Sequence, residues 1–159
     1  MSSPTPPGHH DTTRTRDWRP AMTTPAHPGR TFFVTLPVAD VARSQDFFSR
    51  LGFTFDPDFA DGHGACLLVG DHARVMLADH ARFAELSTLP AGDPTTHALA
   101  LYCFTVATRE DVDTVADAAL AAGGVEADGL EDFGFMLTRS FFDLDGHGWQ
   151  VMWTKPTAG

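Results

Sequence analysis

The sequence predicts an α+β fold built from two copies of a β-α-β-β-β unit, and three observations support this prediction. A helix that begins after Val38–Asp40 and ends at Leu51–Gly52 is echoed by one that begins after Val106–Thr108 and ends at Ala122–Gly123. Each helix follows one apolar strand pattern and precedes several others. The chain closes on two aromatic-rich runs around Asp145–Gly146, a pair typical of hairpin turns. Such a repeat indicates that neither half buries its apolar face alone.

The length and composition predict one domain with a proline-rich N-terminal tail. A chain of 159 residues is about one domain long. We expect that domain over residues 31–155, with modules at about 31–79 and 97–155 and a linker helix between them. Residues 1–30 contain six prolines and no continuous apolar stretch, so we expect a disordered tail without a signal peptide or membrane span. Residues 156–159 form a second, short tail, and Met1 and Met22 are both candidate starts.

The charge and the cysteines exclude several classes of partner. The formal net charge of −10 argues against nucleic acid, which is bound by basic faces, and against an anionic membrane surface. It is consistent with a cytoplasmic protein. Cys66 and Cys103 lie in apolar runs and form no C-x-x-C pair. We therefore expect two buried, reduced thiols and neither a disulfide nor a nucleophile.

The first module is expected to begin with a strand over Thr31–Val38. Asp40 is a suitable N-cap for a helix that runs to about Leu51, and Gly52 supplies the left-handed stop. Three short strands separated by Asp-Gly and Gly-Asp turns follow, then a short helix and a linker. These elements are predicted at Phe53–Asp56, Ala65–Val69, Ala73–Ala78, Asp79–Leu89 and Pro90–Pro94.

The second module is expected to repeat this order. A strand over His97–Val106 precedes a helix that Thr108 and Asp111 begin as a capping box. Gly123–Gly124 ends that helix, and strands are predicted near Val125, over Phe135–Leu144 and over Trp149–Thr154. In the last strand Trp149, Val151 and Trp153 face one way, while Gln150, Met152 and Thr154 face the other.

Taken together, these motifs resemble the vicinal oxygen chelate superfamily. The resemblance is carried by the Leu36–Asp40 opening, the Phe47–Phe53 helix exit and the D-L-D-G-H-G-W-Q ending at 143–150, and it covers about residues 31–155. The superfamily includes glyoxalase I, extradiol dioxygenases, fosfomycin-modifying enzymes and bleomycin-resistance proteins. The resemblance implies that a sheet from each repeat curls into a cup with its helices outside. Because members differ in activity, the fold alone does not imply a function.

The resemblance also implies where a metal would be bound. Metal-using members place their ligands on the concave faces of four strands. By motif, these positions are Phe33, Met76, Leu101 and Gln150, the last replacing the usual Glu. A divalent ion needs three or four nitrogen or oxygen donors, which this set does not supply. We therefore expect a degenerate site without a metal or other cofactor, although a divalent metal held by His63, His97 or His147 beside Gln150 remains an alternative.

What this leaves is an apolar cup suited to a small planar ligand. Apolar side chains are expected on its floor and a few polar ones around them, with Arg74 and Arg139 among the polar contacts. The segment Glu131–Met136 is expected to fold over the rim. The predicted ligand-binding residues are Phe33, Thr35, Met76, Leu101, Cys103, Phe135, Gln150 and Met152.

The expected function is the binding or sequestration of a small aromatic or amphipathic molecule by a homodimer, since relatives usually dimerise. One alternative is an enzyme, a glyoxalase I-like lyase or an extradiol dioxygenase-like protein with atypical metal ligands. Another is a structural protein whose cup is filled by its own core. Most histidines in turns are solvated, so His63 and His147 are expected at the surface unless they bind a metal.

Overall fold

The computed structural model describes residues 27–156, and most of the predicted N-terminal tail lies outside them. The first module contains β1 (Phe32–Val38), α1 (Val41–Arg50), β2 (Thr54–Asp61), β3 (Gly64–Gly70) and β4 (Ala73–Asp79). A short helix, α2 (His80–Leu86), follows. The second module contains β5 (Leu101–Thr105), α3 (Arg109–Ala121), β6 (Val125–Asp132), β7 (Met136–Phe142) and β8 (Gly148–Thr154).

Each module forms one four-stranded mixed sheet with the same topology. The strand orders are β1-β4-β3-β2 and β5-β8-β7-β6. In each sheet the first and last strands of the module are parallel neighbours, and the remaining pairs are antiparallel. The structure thus confirms the α+β class and the doubled β-α-β-β-β order. No helix in residues 27–156 is long and apolar enough to span a membrane.

Local sequence signals set the ends of both long helices. The Asp40 carboxylate accepts from the Arg43 amide at the start of α1, and Gly52, with φ of +92°, ends its exit turn. Thr108 and Asp111 form the expected capping box at α3. A left-handed Gly123 follows that helix. These cap predictions are confirmed residue by residue.

The core lies between the two modules and is rich in aromatic rings. Phe48 on α1 packs edge-to-face on Trp149 of β8, with ring centroids 5.0 Å apart. Phe53 packs on Phe104 of β5 at 5.1 Å. Trp149 and Phe48 are each only 1% exposed. Because both ring pairs cross from one module to the other, each module covers apolar surface that the other would otherwise expose.

Two boundaries in the second module differ from the prediction. The strand expected from His97 begins only at Leu101, because residues 93–97 form a tight turn around Asp93. The Asp93 carboxylate accepts from the Thr95 amide, and the Asp93 carbonyl accepts from the His97 amide. The turn expected at Asp145–Gly146 is in fact a five-residue loop between β7 and β8. In both places an aspartate carboxylate accepts hydrogen bonds from backbone amides, which would otherwise be free to pair with a neighbouring strand.

Candidate functional site

Of two grooves in residues 27–156 that contain predicted site residues, the larger lies on the open face of the second sheet and has a volume of about 810 Å³. Its floor comes from β5, β7 and β8, and one wall comes from the loop that precedes β5. The loop between β7 and β8 closes one end. The floor residues are Leu101, Ser140, Phe142, Gly148 and Gln150, and the wall includes Pro94, Thr95, His97 and Leu99.

One row of side chains crosses this floor in strand register. Cys103 of β5 is paired with Gln150 of β8, Gln150 with Ser140 of β7, and Ser140 with Asp128 of β6. Since residues opposite each other across regularly paired strands point to the same face, the side chains of Cys103, Gln150 and Ser140 lie side by side. Asp128 lies between two register shifts of β6 and lines the same groove. The Gln150 Nε2 donates to the Ser140 Oγ at 3.4 Å. The groove therefore has a polar row across a floor that also carries Leu101 and Phe142.

Ser140 belongs to this site but was not among the predicted residues. It is buried, as is Thr138 two residues earlier on the same face of β7. The signal was present in the sequence, because the alternation along β7 places Thr138 and Ser140 opposite the buried Leu137 and Phe141. A strand with polar residues on its open face and apolar ones on its helix face marks the lining of a groove.

The second-sheet predictions lie on one face but not all in one groove. Leu101 and Gln150 line the larger groove, and Leu101 is 60% exposed. Cys103 and Met152 lie on the same face, farther along their strands. The expectation of a buried Cys103 is wrong, because the residue is exposed. Nearby atoms nevertheless desolvate its thiol and raise the pKa of that thiol, so it is a weak nucleophile.

The first-sheet predictions lie around a smaller groove of about 380 Å³. Thr35 of β1 and Met76 of β4 are paired in register and both line it. Phe33 lies on the same face of β1, is 49% exposed and pairs with Arg74. Arg74 donates to the Gly70 carbonyl at the end of its own hairpin. Phe33, Thr35 and Met76 are thus on a different sheet from Leu101 and Gln150.

Two further expectations about the cup are wrong. Arg139 points to the helix side of β7, where its guanidinium donates to Asp113, Asp117 and Glu126. It therefore joins α3 to β6 and makes no polar contact in a groove. The segment expected to fold over the rim is the end of the β6–β7 hairpin: Gly134 turns with φ of +79°, and the Lys155 amide donates to the Phe135 carbonyl. Phe135 lies at the far end of β7 from Phe142 and the larger groove.

The five-residue loop Asp143–His147 ties the second module to the start of the first helix. The Asp145 carboxylate accepts from the Ala39 amide at 2.8 Å and from the Ser44 hydroxyl at 3.3 Å. His147 donates from Nε2 to the Pro37 carbonyl at 2.8 Å. His147 is only 3% exposed, which makes the expectation of a solvated turn histidine wrong. Its imidazole is part of the contact between modules.

Asp143 anchors this loop from inside. Its carboxylate accepts from the amides of Asp145 and His147 and from the Trp149 indole at 3.0 Å. Burial raises the pKa of the Asp143 carboxyl above its ordinary value, and these donors oppose that rise in part. The three bonds hold the loop in the shape that presents Asp145 and His147 to the first module.

The residues at the four positions that the resemblance assigns to metal ligands do not fit a hard divalent cation. Phe33, Met76, Leu101 and Gln150 offer one thioether and one amide between them, whereas such an ion takes several nitrogen or oxygen donors. The histidines have other partners: His63 pairs with Asp79 at 2.6 Å and His147 with Pro37. His97 lines the same groove as Leu101 and Gln150, and its Nδ1 is hydrogen-bonded to the Thr96 hydroxyl. Within residues 27–156, no group of three or more His, Cys, Asp or Glu side chains is placed to hold an ion.

Comparisons with known proteins bear on the family. Residues 30–70 match the family model described as bleomycin resistance protein-like N-terminal. No curated protein matches the sequence. A solved glyoxalase-related enzyme from Fulvimarina pelagi is 16% identical, with a TM-score of 0.68 over 79% of this chain and 88% of that one.

Two other solved structures give similar values. A glyoxalase/bleomycin resistance protein/dioxygenase family enzyme from Burkholderia phytofirmans PsJN is 16% identical, with a TM-score of 0.65 over 77% of this chain and 96% of that one. TioX from Micromonospora sp. ML1 is 24% identical, with a TM-score of 0.59 over 79% and 99%. The paired modules, the matching N-terminal segment and these structures together give the chain the fold of the vicinal oxygen chelate superfamily, as its opening, helix-exit and closing motifs predicted.

Proposed function

We propose that this protein binds and sequesters a small aromatic or amphipathic molecule without a metal. The observation that carries this proposal is the groove of about 810 Å³ on the second sheet, a volume in the range of small-molecule sites. Its floor offers Leu101 and Phe142 as apolar surface, 60% and 40% exposed. Large apolar side chains left open beside a few polar groups are typical of ligand sites.

The polar row gives the ligand its orientation. Gln150 and Ser140 already share one hydrogen bond, and this bond leaves further donor and acceptor capacity on both side chains. A flat ring that lies over Leu101 and Phe142 would bring its polar edge to this row. The proposed contact set therefore keeps Leu101 and Gln150 from the sequence prediction and adds Ser140 and Phe142.

A homodimer is part of the proposal. Phe33 on the open face of the first sheet and Leu101 on that of the second are 49% and 60% exposed, and Phe59 beside the smaller groove is 52% exposed. Two half-cups with exposed apolar residues in one chain are best covered by a second copy, which would turn open grooves into enclosed sites. A cytoplasmic location remains a prediction that the free cysteines support.

Thermal shift against a panel of small aromatic molecules tests the binding proposal. A ligand at about 100 times its dissociation constant should raise the melting temperature by roughly 5 °C or more, because it binds only the folded chain. Gly148→Leu would fill the floor, since a Cβ there already meets Leu101 at 3.5 Å and Phe142 at 3.7 Å. This variant should lose the shift.

The matched control is Gly70→Leu. Gly70 lies at the end of β3 on the first sheet, and a Cβ there meets nothing within 4 Å. This change adds the same side chain outside the larger groove, so ligand shifts should persist. A panel without any shift, or equal shifts in both variants, would contradict binding in this groove.

Elemental analysis separates this proposal from the enzymatic alternative. A lyase or dioxygenase of the metal-using type requires a stoichiometric divalent ion, whereas the proposed binder requires none. Purified protein with about one equivalent of zinc, nickel, manganese or iron per chain would overturn the metal-free proposal. Gain of metal affinity in the double variant Phe33→His and Gln150→Glu would support the assignment of these positions to the superfamily's metal ligands.

A further inference from the structure

The charged groups around the larger groove are all acids or histidines. Its lining includes Asp128, Asp143 and Asp145, with His97 and His147, and no lysine or arginine is part of it within residues 27–156. A ligand carboxylate or phosphate would find no fixed cation there. The groove therefore carries negative charge without a fixed positive charge, and this favours cationic ligands over anionic ones.

The three carboxylates differ in what they contact. Asp143 accepts from the Trp149 indole and from loop amides. Asp145 accepts from the Ala39 amide and the Ser44 hydroxyl. Both groups are thus engaged in holding the loop to the first module. Asp128 is exposed on β6 and lines the groove, so its carboxylate is the one presented to a ligand.

Asp128 is paired with Ser140 between two register shifts of β6, and it lines the groove beside the polar row. Asp128 pairs with Ser140, and Ser140 pairs with Gln150, whose Nε2 donates to it. A ligand that crosses the floor from β8 towards β6 therefore meets an amide, then a hydroxyl, then a carboxylate. The amide and the hydroxyl can each donate or accept, whereas the Asp128 carboxylate only accepts, so a cationic donor matches this last member.

On the proposed function, which this inference presupposes, we infer that the groove selects planar ligands that carry a protonated amine, with Asp128 as the residue that determines this specificity. The aromatic body lies over Leu101 and Phe142, and Gln150 and Ser140 contact its polar edge. The amine donates to the Asp128 carboxylate at the β6 side. An anionic ligand of the same shape is disfavoured.

Three acridines of one ring shape provide the test. At slightly alkaline pH, 9-aminoacridine is a cation protonated at its ring nitrogen, and its amino group shares the positive charge. Acridine is then neutral and acridine-9-carboxylate is anionic, and all three can be followed by fluorescence titration of the full chain. We expect 9-aminoacridine to bind about fivefold more tightly than acridine, the effect of a partly exposed ion pair. Added salt should reduce this preference.

Two variants of Asp128 and one control assign the preference to this residue. Asp128→Asn should make the two affinities equal and leave that of acridine unchanged, whereas Asp128→Lys should favour the carboxylate. Asp71→Asn removes the same charge from the exposed β3–β4 turn and should keep the fivefold preference. Because the chain carries a net charge of −10, this control separates a local contact from general attraction of cations.

The outcomes distinguish the two proposals. If acridine binds as tightly as 9-aminoacridine, the groove binds planar molecules but the charge preference is wrong. An equal loss of preference in the Asp71 and Asp128 variants would also overturn it. If none of the three probes binds and no panel compound gives a shift that depends on Gly148, the inference and the proposed function both fail.

Discussion

His147 lies 110 positions after Pro37 in the chain, and its Nε2 donates to the Pro37 carbonyl across the junction of the two modules. Alternation along the last strand predicted that Gln150 faces away from Trp149, and the resemblance to the superfamily placed Gln150 and Leu101 on concave strand faces. They did not predict a buried His147. A histidine between two glycines resembles a solvated turn, and only the packing of distant segments provides its partner.

His147→Ala should lower the free energy of unfolding by about 2–3 kcal/mol, since it removes a buried hydrogen bond and leaves a cavity. Urea unfolding followed by tryptophan fluorescence measures this loss. His72→Ala changes an exposed turn residue and should stay within about 0.5 kcal/mol of the wild type. Equal stability of the two variants would show that the contact with Pro37 contributes little.

The His63–Asp79 pair predicts a shifted titration. The Asp79 carboxylate accepts a hydrogen bond from His63 Nδ1 and thereby raises the pKa of the imidazole above its ordinary value of 6.5, and the charge of Asp79 adds to this. Because the folded chain holds this proton more tightly, the stabilising contribution is complete below pH 6.5 and is lost as pH rises through the folded pKa. Imidazole resonances followed by NMR across this range report the folded value.

Asp79→Asn should return the pKa of His63 towards 6.5. The variant keeps an oxygen for the Arg82 amide at the start of α2, since asparagine caps helices about as well as aspartate. It loses only the charge. Asp71→Asn should leave the His63 titration unchanged, and an unshifted His63 in the wild type would rule out the pair in solution.

For the helices and strands, the sequence predictions were correct where a short local signal determines the structure. Caps, glycine stops and strand alternation placed both long helices and most strands. The prediction was less accurate for β6, which was expected only near Val125. Register shifts on both sides of Asp128 break the alternation of that edge strand. The prediction also missed the turn at Asp93, because the apolar residues of 98–101 read as one continuous strand.

Thr108→Ala should destabilise the fold by about 1 kcal/mol, because the hydroxyl accepts from the Asp111 amide at the first turn of α3. Thermal or urea unfolding measures the change. Thr114→Ala removes a hydroxyl within the same helix that only donates to the Glu110 carbonyl, so it should be near neutral. A larger loss in the Thr114 variant would contradict the assigned role of the cap.

For the whole molecule, the superfamily fold and one sheet from each repeat were predictable from the sequence, but the separation of the site residues between two grooves was not. Motifs placed Phe33 and Leu101 on strands of corresponding position. They contain no information about how the two half-cups are arranged, because that depends on how the modules pack. The proposed homodimer likewise concerns the whole molecule.

Phe33→Glu should weaken the proposed homodimer, because a buried charge in an apolar interface is costly. Light scattering after size exclusion should show a shift towards monomer. Leu89→Glu places the same charge at a 75% exposed loop position and should leave the assembly as in the wild type. A monomeric wild-type protein would contradict the dimer directly.

Gly146 links the wall of the groove to the junction of the two modules. With φ of +92°, it packs so closely on Thr95 that an added Cβ would lie 3.1 Å from the threonine Cγ2. The wall above the floor thus rests on the loop whose neighbouring side chains hold Pro37 and Ala39. These contacts hold the wall in a fixed position relative to the first module. Any movement of this wall away from the floor would therefore displace the loop that joins the two modules.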